Sequence, residues 1–212
     1  GEAATSLYRD ARQMLKQIVD EKWLQARAVF GLFPAASDGD DLVLYGDDAR
    51  KEKLETLNFL RQQRAKAEGR PNRCLADYVA PLDSGLADHA GLFAVTAGLG
   101  IENKLDEFEQ NHDDYRSILL KALADRLVES LAEQLHRQVR KHYWGYAATE
   151  ALSNEELIRE KYRGIRPAPG YPSCPDHSEK TTLFDLLQAR SNIGVELTEH
   201  FAMNPASSVS GF

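Results

Sequence analysis

The chain has 212 residues, 42% hydrophobic and 28% charged, enough apolar sequence for one substantial core and too polar for a membrane protein. Its formal charge of −7 argues against a nucleic-acid face, which needs a basic stripe. No apolar run approaches the roughly 18 residues of a membrane span and no signal-peptide pattern opens the chain, so a cytoplasmic location is expected.

Along the chain, Leu7, Ala11, Met14, Leu15 and Ile18 recur at helical spacing and predict an amphipathic helix from Glu2 to about Val19. "ARAVFGLFPA" and "SDGDDLVLYGD" predict two strands joined by a Ser-Asp-Gly-Asp turn, an antiparallel hairpin. "KEKLETLNFLRQQR" is helical by period, although Thr56 and Phe59 leave room for a strand. The basic stretch at 61–73 reads as a solvated helix end and loop. "CLADYVAP" and "HAGLFAVTAG" are β-prone runs separated by the turn-rich "LDSGLAD". Residues 101–142 form the helical heart, broken near "NHDDY", whose acids suit the start of a second helix. Leu119, Leu123, Leu127, Leu131, Leu135 and Val139 supply its apolar ridge. Ser153 and Glu156 form a capping box for a short helix. "TTLFDLLQA" is a last helix, "VELTEHFAM" is strand-like, and "NPASSVSGF" reads as a turn and strand. The class is α+β, one domain over residues 1–212, an antiparallel sheet with helices gathered against it.

"RGIRPAPGYPSCPDHSEK", residues 163–180, gathers four prolines and two glycines around Arg166 and Tyr171. Each proline fixes φ near −65° and removes a donor, so the stretch is built to hold one shape, as functional loops of this length are. Flanked by Ile165 and Pro167, Arg166 suits bidentate binding of a carboxylate or phosphate; a structural ion pair with a nearby acid is equally open. Gly170 lets a flat group approach the main chain, and Tyr171 offers a face and a hydroxyl. Glu129 follows Ala122 and Ile118 on one helix flank; its partner is an arginine of the same fold, a ligand cation, or water. Cys174 and His177 have a spacing zinc can use, yet no other ligands stand nearby in sequence, so no metal is expected. His112, Asp113 and Asp114 are explained by helix capping. Gly-rich nucleotide loops, Gly-x-Ser-x-Gly and His-Glu-x-x-His are absent, so independent catalysis is not expected.

"KALADRLVESLAEQLHRQVRKHYWGYA", "LSNEELIREKYRGIRPAPGYPSCPDHSEK", "LTEHFAMNPASSVSG", "FGLFPA" and "CLADYVAP" resemble the C-terminal reactivation domain of cobalamin-dependent methionine synthase. The resemblance extends over essentially the whole chain. It implies a C-shaped α+β domain with a bent antiparallel sheet, part of a methyltransferase, 5-methyltetrahydrofolate-homocysteine methyltransferase. It implies S-adenosylmethionine as methyl donor, cobalamin carried by a partner module, and a flavodoxin-type reductant. Residue by residue, the family's Arg-x-x-x-Gly-Tyr motif falls on Arg166, Gly170 and Tyr171, with Ala168 between them, and its helical glutamate falls on Glu129. It also implies flanking segments that complete the pocket, so the chain is expected to be partial at both ends, with open sheet edges that favour self-association. A second reading is an interaction module that clamps the cobalamin or flavodoxin-type partner without binding S-adenosylmethionine.

Overall fold

The amphipathic stripe becomes α1, Glu2–Asp20, with Met14 and Ile18 buried, in a computed structural model that describes all 212 residues. The expected hairpin is β1, Gln25–Asp38, and β2, Asp41–Tyr45, paired antiparallel from Ala35↔Leu44 to Asp38↔Asp41. Gly39 takes the turn at φ +62°, a conformation cheap only for glycine. Residues 51–64 depart from the helical expectation: Lys53–Asn58 is a strand, β3, with Leu57 opposite Leu42 of β2. Parity explains it. Leu57 and Phe59 are buried while Leu54 and Leu60 remain exposed, the period-two pattern of a strand rather than a helical stripe.

"CLADYVAP" also departs from expectation, forming a 3₁₀ turn over Leu75–Tyr78. The Asp77 carboxylate accepts the Cys74 amide at 2.9 Å, a local bond that competes with strand pairing. Arg61, the first of the basic stretch, is not a solvated helix end; it pairs with Asp40 at 2.5 Å and Asp77 at 2.7 Å and pins this turn to the hairpin. Then come β4, Asp88–Leu99, α2, Ile101–Gln110, and α3, Asp114–Gln138, broken from α2 at His112, φ +54°. A π-helical turn, Val139–Tyr143, ends α3. The capping box forms as read at the start of α4, Asn154–Ile158, followed by α5, Glu179–Leu187, and α6, Ala189–Ile193. The strand-like "VELTEHFAM" reduces to two short rungs, β5 at Glu196–Leu197 against β6 at Met203–Asn204. With β7, Ser208–Gly211, the main sheet has the order β3-β2-β1-β4-β7, the mixed helix and sheet class that was expected.

The chain divides into two compact units. The first comprises Gly1–Val29, Val95–Leu135 and Ala189–Val209, with a core of Met14, Ile18, Ile101, Phe108, Leu119, Leu120 and Ala124. Trp23 meets Phe108 edge-on at 6.0 Å, and the Lys104 ammonium lies 4.4 Å from the Trp23 ring centre, a cation–π contact. Each such buried large side chain stabilises the fold by roughly 1.5–3 kcal/mol. The second comprises Phe30–Ala94, His136–Gln188 and Ser210–Phe212; Leu44, Leu57, Leu92 and Leu183 are its most buried leucines. Glu179, at the start of α5, accepts the Asn58 amide at the end of β3 at 3.1 Å.

The ridge of α3 lies one residue away from the line read in sequence. Leu120, Ala124, Val128 and Ala132 are the deeply buried set, whereas Leu123, Leu127, Leu131 and Leu135 are half-buried. Small Ala124 and Ala132 permit close packing. The leucines flank them, so leucine content alone pointed beside the true line.

Candidate functional site

Residues 163–180 lie in the second unit and are held at several points. At the start, Gly164 has φ +101°, and a Cβ there would lie 2.5 Å from the Tyr146 hydroxyl. That hydroxyl donates to the Arg163 carbonyl at 3.2 Å. Pro167 offers its carbonyl to the Phe212 amide at 3.0 Å, after the end of β7. Pro169 is buried. Gly170, at φ +100°, donates its N–H to the Cys174 carbonyl at 2.8 Å, and Cys174 returns an N–H to Tyr171 at 2.9 Å. This closed turn brings Tyr171 opposite Cys174 in an isolated bridge. Asp176 then accepts the Ser178 amide at 2.9 Å, a bond that holds its carboxyl below the usual range, and the chain enters α5.

The loop therefore has fixed ends and an accessible middle. Arg166 and Ala168 are half-buried, while Gly170 and Tyr171 are exposed, the phenol ring to 63%. A ring or carboxylate can approach there without displacing core. Other loop residues face elsewhere: Arg163, Gly164, Ile165 and Pro167, with Trp144 and Phe212, border a cavity of about 430 Å³ to which Arg166 and Ala168 do not contribute. Arg166, Ala168, Gly170 and Tyr171 are thus gathered on one ordered segment. Glu129 belongs to the first unit, on α3, where it is exposed. Ile118, on the flank used to place it, is 67% exposed, so that flank faces solvent rather than core.

Cys174 is an unsuitable metal ligand in this setting. It is buried, and desolvation pushes its thiol up to about 12, whereas a metal needs the thiolate. No group of three or more acidic, cysteine or histidine side chains is placed to hold a metal ion.

A polar cluster that sequence reasoning missed lies in the same unit. Arg140 is fully buried and donates through Nε and Nη2 to Glu150 at 2.8 and 2.7 Å. Its guanidinium carbon is 4.2 Å from the Tyr162 ring centre, and His136 meets that ring edge-on at 4.9 Å. The bond from Arg140 holds the Glu150 carboxyl below its usual range. Burial, then the charges of Arg140 and Arg166, lower His136 to about 3, so the imidazole is neutral. The sequence did carry a signal: His136 and Arg140 continue, at four-residue steps, the line of Ala124, Val128 and Ala132. A charged residue on a buried line demands a partner.

The fold agrees with that of a known protein. The sequence pattern of the family described as "Vitamin B12 dependent methionine synthase, activation domain" matches residues 1–212. The crystal structure of the MetH reactivation domain bound to AdoHcy superposes with a TM-score of 0.95 at 55% sequence identity. That match covers 100% of this chain and 65% of the solved chain, so the chain spans about two thirds of that relative's length. The chain belongs to the activation-domain family of vitamin B12 dependent methionine synthases.

Proposed function

We propose that this chain is an S-adenosylmethionine-binding module that docks on a cobalamin-binding module and positions the methyl donor for reductive remethylation of the cofactor. The observation that carries the reading is the anchored 163–180 loop, in a chain 55% identical to a reactivation domain solved with AdoHcy. Its residues suit the ligand. Arg166 receives the ligand carboxylate, where a guanidinium provides two parallel donors. The backbone at Ala168 and Gly170 accepts the flat adenine, and Tyr171 covers it. Glu129 supplies a counter-charge for the ligand's cationic methionine end. Holding the loop before binding lowers the ordering entropy lost on association and keeps the methyl group at a defined place.

The corrinoid of the partner module accepts the methyl group once a flavodoxin-type protein has supplied an electron. The chain contributes binding and orientation, and S-adenosylhomocysteine is the product it releases. No helix is long and apolar enough to cross a membrane, and a cytoplasmic setting accords with such partners. The alternative of a ligand-free clamp is disfavoured by the AdoHcy found on the relative.

Calorimetric titration of the chain with S-adenosylmethionine and with S-adenosylhomocysteine tests the reading. Saturable binding of both, lost in Arg166→Ala, is expected. A folded chain that binds neither overturns it.

A further inference from the structure

Arg166 sits between two fixed points of its loop. The later one is the Pro167 carbonyl bonded to Phe212. The earlier one begins at Tyr162, just before Arg163, whose carbonyl is bonded by Tyr146. Tyr162 has two ring partners, the Arg140 guanidinium 4.2 Å from its ring centre and the His136 imidazole, nearly perpendicular to it with ring centres 4.9 Å apart. Arg140 is in turn fixed by the two bonds to Glu150. A cation over the ring together with a perpendicular imidazole defines where the ring can sit, which an oily contact would not.

A buried ion pair is a poor choice for stability alone. Desolvating both charges costs about as much as their attraction returns, and apolar replacements of similar volume are often as stable. Yet the buried line of α3, apolar at Ala124, Val128 and Ala132, switches to His136 and, in the π-helical turn that follows, to Arg140 where the chain packs against Tyr162. Orientation explains what stability does not.

We propose that Arg140, Glu150, His136 and Tyr162 are positioning residues for the methyl-donor site, fixing the start of the 163–180 loop so that Arg166 is pre-set for the ligand carboxylate. None of the four needs to touch the ligand; they act through Arg166. The inference rests on the S-adenosylmethionine-binding reading above.

The test compares affinity for S-adenosylhomocysteine, by calorimetry, with stability, by urea unfolding. The double variant Arg140→Met, Glu150→Leu replaces the pair with apolar side chains. It is expected to stay folded with a urea midpoint near that of the parent, yet to bind at least about ten-fold more weakly, because pre-organisation is lost. Tyr162→Leu, which keeps the ion pair, is expected to show the same split, and Tyr162→Phe, which keeps the ring, to restore parental affinity. Parental affinity in either the folded double variant or Tyr162→Leu overturns the proposal. Unfolding of both would show that the cluster supports the whole unit rather than the loop, and overturns it too. If the unaltered chain does not bind S-adenosylhomocysteine, the functional reading itself fails and this inference falls with it; binding by the parent confines any failure to the positioning role.

Discussion

The Pro167 carbonyl accepts the Phe212 amide at 3.0 Å, and Gly211 makes that bond accessible, because a Cβ at 211 would lie only 2.2 Å from the same oxygen. The obstacle is backbone, which cannot swing aside as a side chain would. Gly211→Ala should therefore push the loop away from the last strand, with a stability loss of roughly 1–3 kcal/mol, the usual cost of overpacking. Since Pro167 adjoins Arg166, binding of S-adenosylhomocysteine should weaken as well. Urea unfolding and calorimetry on the variant check both effects, and unchanged values in each would show that the bond does not hold the loop.

Arg166→Ala should weaken S-adenosylmethionine binding by roughly 2–5 kcal/mol if a desolvated carboxylate loses its partner, with the circular dichroism spectrum retained. Parental affinity in a folded variant would reassign Arg166 to a structural role.

Glu129→Gln keeps the shape and removes the charge. Its carboxylate is exposed, so thermal stability should move by less than about 0.5 kcal/mol while ligand affinity falls. A large loss of stability in the absence of ligand would instead reveal an internal ion pair.

How far the sequence was readable depends on whether a residue's neighbours in sequence decide its fate. The stiff loop was legible because Pro167, Pro169 and Gly170 constrain their own backbone, and the capping box at Ser153 and Glu156 is local. β3 was not, because Leu54, Leu57 and Leu60 fit a helical stripe, and only pairing with β2 decides that Leu57 turns inward. The turn at Leu75–Tyr78 was hidden for a similar reason: Asp77 binds the Cys74 amide and also Arg61 from a distant segment. The proposed ligand residues were named through resemblance, whereas the Arg140–Glu150 pair depends on a tertiary contact that no motif records.

Neither thiol should be reactive in the folded chain. Burial pushes Cys174 up to about 12 and raises Cys74, and both side chains are inaccessible. Thiolate is the attacking species, so a chromogenic disulfide reagent at pH 8 should titrate neither cysteine in buffer and both in denaturing urea. Rapid native labelling of Cys174 would show that the turn closed by the Gly170 and Cys174 hydrogen bonds opens readily.

The buried imidazole of His136 should give the chain a measurable acid sensitivity. Its ordinary value is 6.5, and in the fold burial and the charges of Arg140 and Arg166 lower it to about 3. Below pH 6.5 the unfolded chain therefore takes up a proton that the folded one refuses. The stabilisation that comes with a neutral His136 is fully present above that pH and is lost as pH falls towards 3, at up to about 1.4 kcal/mol per pH unit. Glu150, held below its usual range, loses stability in the same direction at lower pH, so the cleanest interval lies above the ordinary carboxylate range. Glu179, raised by burial, acts in the opposite sense, and a difference between two chains removes it. Urea unfolding at pH 7 and pH 5 should show the parent losing about 2 kcal/mol more than His136→Gln over that interval. Equal losses in the two chains would mean that His136 can be protonated within the fold, and that the cation, ring and imidazole edge around Tyr162 do not require it neutral.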